Sequence, residues 1–443
     1  MCSVANLNLS ENDIRNICRR YLVRETCNYR KFHVDSCEVD TLGDSPAGFI
    51  ANHYILTVHI SEKVVGYSDE KRSLNSQTVS FFVKVFPDDI KERAEYAEEM
   101  KVFQKENDLY SYLLPRLQDI GIGAKEWAAQ SYLAKDDRIL VIENLKVDGF
   151  KMAVNQGRGN FDFDHLSMAL DVLARFHACG IVLEDRSHTP VVQMYPDCFE
   201  ENGYPDDVNH IRITGLRNAI LAHLELIKRI PKYQNNQILS KILQEYPKTV
   251  MKIVDFVKIS DQFKNVVSHG DLWANNIMFK YEEVDKEKKA LKPIDGRLVD
   301  FQLVRYAPPA LDVVTLICNT TDSVLRQDKL DILLEGYYKR LTKELSRFGI
   351  VAEDIISWDD FLESYEYYKL AGLIESVLFG HLTTLPPEIS TELLGSSETF
   401  GDFIKSDTRV KFCIKAFETD SNYRNRLTDS FCQIIDNYIL PNE

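Results

Sequence analysis

The sequence of 443 residues predicts an α+β protein of two lobes: a small antiparallel β lobe with one helix pair over residues 1–145, and a larger, mostly helical lobe over residues 146–443. Three observations lead there. A single core rarely grows beyond about 250–300 residues, so a chain of this length divides. Residues 37–86 are rich in β-branched and aromatic side chains in short runs. Beyond residue 146 apolar residues recur at helical spacing, and only residues 264–304 return to strand-like texture.

The elements follow in order. Ser10, with an acid three positions on at Asp13, reads as a helix N-cap, and Ile14, Ile17, Cys18, Tyr21 and Leu22 then recur at helical spacing. Tyr54–Ile60 and Val79–Phe86 read as strands separated by the polar run 68–76, and residues 91–116 as helix. Arg138–Glu143 is a short apolar strand ending in a carboxylate. Asp164–Gly180 has one apolar face, with Gly180 where a left-handed C-terminal cap would sit and His177 on that face as a satisfied core histidine. Val266–Val267, Ile277–Phe279 and Arg297–Val299 are short strands, the last two joined by the charged hairpin 280–292.

Composition excludes several classes. With 53 Lys+Arg against 68 Asp+Glu the formal net charge is -15, which argues against broad contact with nucleic acid or anionic lipid. Nine cysteines form no C-x-x-C pair, and an odd count in a long chain suits reduced thiols better than a disulfide framework or a zinc site. The N-terminus lacks the basic-then-apolar order of a secretory signal and no stretch reaches ~18 uncharged apolar residues, so a cytoplasmic protein, monomeric or weakly self-associating, is expected.

The densest constellation is Val266–Phe279. Asp271 follows an apolar strand and a glycine, and Asn276 comes five positions later, just before the next strand. That is the spacing of a kinase catalytic loop: a carboxylate accepts the proton of an attacking hydroxyl, and a neutral amide oxygen binds metal without adding a repelling charge. Read alone, Asp271 could merely cap backbone amides. Asp300 ends the next apolar run, where an unpartnered carboxylate is costly to bury unless it meets a metal. Lys84 lies on the opposite strand face from Val83 and Val85. In isolation it could be solvated, but Phe103, Glu106, Tyr110 and Leu113 form a helical stripe that puts a carboxylate among apolar residues, and a buried carboxylate needs a cation. Glu98 and Glu99 compete with Glu106 for that place.

Weaker signals complete the site. Thr41–Phe49, with Gly43 and Gly48, could cover phosphates or be an ordinary hairpin turn, since it is no G-x-G-x-x-G. Glu143, Asn144 and Leu145 follow the last small-lobe strand, where an inter-lobe hinge would offer backbone groups to an adenine. His269 could be a general base or, the preferred reading, could hold the backbone near Asp300. Asp312 could be a simple helix N-cap.

HGDLWANNIMF with LVDFQLVRY and APPALDVV resembles the ecdysteroid-kinase-like (choline-kinase-like) proteins, a branch of the aminoglycoside phosphotransferase and protein-kinase-like superfamily. Trp273, the doubled Asn275–Asn276 and Gln302 are the most specific features, and FQKENDLYSYLLPRL and ILVIENL resemble the helix and hinge segments of that branch. The resemblance implies a bilobal protein-kinase-like fold and ATP-dependent phosphorylation of a small-molecule alcohol. Asp271 would be the base, Asn276 and Asp300 the Mg2+ ligands, and Lys84 with Glu106 would meet the phosphates. An ecdysteroid, related steroid or xenobiotic alcohol would want a broad apolar cleft. A choline-like substrate would want carboxylates and aromatic faces, for which Tyr365–Tyr368 is a candidate unless those rings are core. A protein of another class, a non-catalytic ligand-binding member on the same fold, would keep the same residues.

Overall fold

The computed structural model describes residues 7–26, 31–42, 50–63, 74–89, 91–121, 126–153, 160–285, 290–394 and 408–441. Helix α1 (Glu11–Thr26) begins with a reciprocal cap: Asp13 N donates to Ser10 Oγ at 3.2 Å and Ser10 N to the Asp13 carboxylate at 2.8 Å. Its stripe of Ile14, Ile17, Cys18 and Leu22 packs on Leu56, Val58, Phe81 and Val83 of the sheet.

That sheet has five antiparallel strands, β1 (Phe32–Thr41), β2 (Asn52–Lys63), β3 (Leu74–Val85), β4 (Ser131–Lys135) and β5 (Ile139–Glu143), in the order β1-β2-β3-β5-β4. Strand alternation turns Phe81 and Val83 toward α1 and Phe82 and Lys84 toward the other face. The helical run on that face is not one helix. It comprises α2 (Lys91–Glu99), α3 (Val102–Asp108), a π-turn over Leu109–Leu113 and α4 (Leu114–Asp119). Lys101, left-handed at φ 51°, separates α2 from α3, and Pro115, which has no N–H to donate, sits in the first turn of α4.

The larger part is built on α5 (Phe163–Ser187), capped by Asp162 accepting from His165 N. By length and composition α5 could cross a membrane, but 78% of its most apolar stretch is buried inside the protein. The expected stop at Gly180 is absent: α5 continues to Ser187 and His188 takes the left-handed cap. Gly180 instead lets strand β6 (Val266–Ser268) approach, since a Cβ there would lie 3.1 Å from Val267 Cγ2. Residues 264–307 form two antiparallel ribbons, β7 (Ile277–Asp285) with β8 (Ala290–Leu298), and β6 with β9 (Arg305–Ala307). The helix Pro309–Thr320 meets β6, and the helices Pro309–Thr320 and Trp358–Thr383 pack closely on each other.

Gly372 permits that last contact, because a Cβ would sit 2.7 Å from Val314 Cγ2 and 2.8 Å from Val314 O. Ala is the better helix former by about 1 kcal/mol, yet overpacking against backbone costs about 1–3 kcal/mol. Gly372→Ala is therefore expected to lower the denaturation midpoint, and an unchanged or raised midpoint would contradict this packing.

Candidate active site

The β6–β9 pair sets Val267 opposite Tyr306 and Ser268 opposite Arg305, and delivers the chain into the loop His269–Asn276. Asp312, in the first turn of helix Pro309–Thr320, accepts from His269 N at 2.6 Å and Gly270 N at 3.0 Å. This is not the helix N-cap considered from sequence. The cap position is Pro308, and the Asp312 carboxylate is spent on another segment. His177 Nε2 donates to Asp312 at 3.1 Å and its Nδ1 meets Tyr337 OH at 2.7 Å, so the buried histidine is fully bonded within the core. Burial pushes the Asp312 pKa up, but the bond from His177 and the loop amides outweigh it and hold the carboxyl below its usual range.

His269 is fully buried with both ring nitrogens on backbone: Nε2 donates to Val299 O at 3.1 Å and Nδ1 accepts from Asp271 N at 3.3 Å. It braces the loop against the Asp300 segment and does not line the cleft. Gly270 is left-handed at φ 75°, and a Cβ there would fall 2.1 Å from Leu303 O.

Asp271 follows, buried at 3% exposure. Its Oδ2 accepts from Asn276 Nδ2 at 3.0 Å and Gln302 Nε2 at 3.4 Å, while its buried Oδ1 has no hydrogen-bond partner. Burial, reinforced by the nearby Asp300 charge, pushes the Asp271 pKa up to about 7. Asn276, with its Nδ2 directed at Asp271, has its amide oxygen on the other side. Asp300 ends the 298–300 run in a left-handed conformation at φ 65°. It is held by its neighbour Phe301, fully buried against Tyr110, Trp127, Phe176 and His269.

Lys84 joins the two ends. Its Nζ lies 2.6 Å from Glu106 Oε2 and 2.8 Å from Asp300 Oδ1. Burial pulls the ammonium pKa down, but Asp300 and Glu106 outweigh it and hold Lys84 above its usual range, charged. Burial pushes Glu106 up, with Lys84 opposing. The competing acids are elsewhere: Glu99 accepts from Ile211 N and Glu98 lies 3.6 Å from Arg138.

Lys84, Asp271, Asn276 and Asp300 line one open cleft. A carboxylate and an amide oxygen are the hard donors a magnesium ion takes, and the partnerless Asp271 Oδ1 beside them is a buried acceptor awaiting a donor, so the donor set fits a metal-assisted site. Away from these groups the wall includes Leu216, Leu378, Phe379 and Leu393, the rings of Tyr96 and Tyr204, and Arg212 and Arg409. Arg212 donates to Gly203 O and Tyr96 OH, and Arg409 to Gly215 O. Burial pulls the Arg409 pKa down to about 10.

Some sequence candidates lie apart. Glu143 accepts from Gln130 N at 3.1 Å, Asn144 donates to Ser80 Oγ, Leu145 is core, and none of the three lines the cleft. Tyr365 and Tyr368 are buried core, with Tyr368 and Tyr367 packed against Phe256 and Phe263. Gly43 and Gly48 lie outside the described residues. Sequence reasoning missed the anchoring role of Asp312, the Gln302 contact and both cleft arginines, none of which belongs to a local pattern.

The fold and the family match are those of the small-molecule kinase class. The chain belongs to the ecdysteroid kinase-like family, which it matches over residues 54–350. No curated protein gives a significant match. Solved structures similar to it include a choline kinase from Cryptosporidium parvum Iowa II (13% identity, TM-score 0.42, covering 98% of each chain). A GDP complex of an aminoglycoside 2'-phosphotransferase is 12% identical, with TM-score 0.39, covering 96% of this chain and 99% of that one. A microcompartment-associated aminopropanol kinase is 11% identical, with TM-score 0.35 and coverage of 84% and 94%.

Two outcomes are expected. Gly270→Ala forces a side chain into a left-handed position and against a carbonyl, at a combined cost of about 2–5 kcal/mol, read as a large fall in denaturation midpoint. In metal-free protein, Asp271→Asn should stabilise the fold at pH 8. The folded-state pKa near 7 exceeds the unfolded value of ~3.9, so the wild-type carboxyl adds stability only while protonated and loses it as pH rises between the two. The variant's advantage in melting temperature should grow from near zero at pH 4 to a plateau above pH 7. A pH-independent difference would refute the raised pKa.

Proposed function

We propose that the protein transfers the γ-phosphoryl group of ATP to a hydroxyl of a small apolar alcohol, an ecdysteroid or a related steroid or xenobiotic. The observation that carries the reading is the convergence of Lys84, Asp271, Asn276 and Asp300 on one cleft from three separate chain segments. In the reaction, the bond from the acceptor oxygen to the γ-phosphorus forms and the bond from that phosphorus to the bridging oxygen breaks. The electron pair leaves with ADP, and the hydroxyl proton passes to Asp271. Oδ1 is the oxygen suited to take it, because Oδ2 is already held by Asn276 and Gln302. Lys84, kept charged by Glu106, would orient the phosphates. A magnesium ion on Asp300 and Asn276 would neutralise charge on the phosphate oxygens.

The far wall supports this acceptor class. Its leucines, Phe379 and Ala219 offer apolar area, and its charged groups are the guanidiniums of the buried Arg409 and the half-buried Arg212. Among the described residues the carboxylates lining the cleft are Asp271 and Asp300, both at the phosphoryl end. A quaternary ammonium or polyamine would meet repulsion at the far wall and no compensating anion, which disfavours an amino-alcohol acceptor.

Magnesium and ATP together should raise the melting temperature, and ATP should be consumed with ecdysteroids or comparable apolar alcohols but not with choline or ethanolamine. Asp271→Asn should lower turnover by about 10³-fold or more, in the range of removing a catalytic base, while nucleotide binding is retained. Nucleotide binding without turnover on any alcohol would favour a non-catalytic binding protein. Turnover unchanged in the variant would remove Asp271 from the role of base.

A further inference from the structure

We propose that Asn202 and Lys105 are positioning residues that lock the helix carrying Glu106 onto the loop carrying Asp300, and so hold the nucleotide end of the cleft in register. The proposal rests on the phosphoryl-transfer reading above. Lys105 and Glu106 are consecutive on α3, 4% and 2% exposed, and a helix turns successive side chains apart by about 100°. Glu106 reaches Lys84 on the sheet. Lys105 reaches the other way, donating to Glu200 O at 2.6 Å and to Asn202 Oδ1 at 3.0 Å.

The amide of Asn202, 6% exposed, makes the joint. Its Nδ2 donates to Met100 O and to Gln302 O, each at 3.1 Å. Met100 lies just ahead of α3, and Gln302 lies two residues past Asp300, with its own side chain on Asp271 Oδ2. One buried side chain therefore spans the start of the helix and the loop that bears the metal-binding carboxylate. Two links then run in parallel between α3 and residues 300–302: Glu106–Lys84–Asp300 and Lys105–Asn202–Gln302.

The segment Glu200–Tyr204 is itself rooted in the larger lobe. The Glu201 carboxylate accepts from Gly203 N and Tyr204 N, both at 2.8 Å, and from Arg305 Nε at 3.1 Å, where Arg305 is paired with Ser268 at the entry to the Asp271 loop. Tyr204 OH donates to the buried Glu375 at 2.8 Å. Gly203 keeps the turn tight, since a Cβ would sit 2.9 Å from Glu201 Oε1. Helix α3 needs such an outside anchor because the left-handed Lys101 breaks its continuity with α2. A buried lysine is also an expensive way to fill space, and burial pulls the Lys105 pKa down to about 8. Its two acceptors, 95 and 97 residues away in the chain, give it a purpose that packing alone would not.

The test uses the full chain with Asn202→Ala, Lys105→Met and the double variant, followed by hydrogen exchange without nucleotide and by steady-state kinetics. Exchange should accelerate over residues 102–113 and 300–303 and stay unchanged in α1. The nucleotide KM should rise roughly tenfold or more with the acceptor KM near wild type, as expected of misplaced binding groups. The double variant should be no worse than the poorer single one, because both changes break the same link. A lowered melting temperature with unaltered nucleotide KM, or wild-type exchange in both segments, would overturn the lock. Should Asn202→Ala not fold, Lys105→Met decides, since it leaves the two amide bonds of Asn202 in place. If the unmodified protein consumes no ATP with any alcohol, the phosphoryl-transfer reading fails by itself, and exchange still reports on the lock.

Discussion

One buried ammonium between two carboxylates organises this molecule. Lys84 belongs to the sheet, Glu106 to α3 and Asp300 to the loop after β8, and they meet within 2.8 Å. Lys84 and Glu106 are both buried, and neither is tolerable alone at that depth, because an unpaired buried charge costs several kcal/mol; the half-buried Asp300 adds the second counter-charge. Their mutual dependence fixes the sheet, the helix and the loop in one relative placement. It leaves the trio with one positive and two negative charges, an arrangement that favours a further cation at Asp300.

A second polar core lies below. Asp312 gathers the amides of His269 and Gly270, His177 and Tyr337 hold Asp312, and His269 holds Val299. The loop bearing Asp271 is thus supported by hydrogen bonds to rigid elements on both sides. That support fixes the carboxylate, whose free Oδ1 is held in one place. The same support makes the carboxylate costly: burial and the Asp300 charge raise its pKa.

The cleft divides its labour by charge. Carboxylates stand at the end nearest Lys84, and leucines with two guanidiniums stand at the other. The net charge of -15 does not predict this division, because solvated surface residues dominate that sum while the cleft is decided by a handful of buried groups.

The spacing of Asp271 and Asn276, the strand before them and the carboxylate after β8 were all legible in the sequence. A catalytic loop of this kind is local: six consecutive residues and two flanking strands suffice to orient its side chains. The stripe that buries Glu106 and the alternation that turns Lys84 away from Val83 were readable for the same reason, being properties of a single helix and a single strand. What the sequence could not show was contact between distant segments. The stop expected at Gly180 failed because that glycine serves β6 in a neighbouring element. Asp312 looked like a cap because the backbone donors it serves lie 42 and 43 residues upstream. Asn202, Lys105, Arg212 and Arg409 carry no motif at all. Periodicity reports which face of an element is buried, whereas the partner on that face is chosen by how the elements pack, and only the tertiary structure decides that.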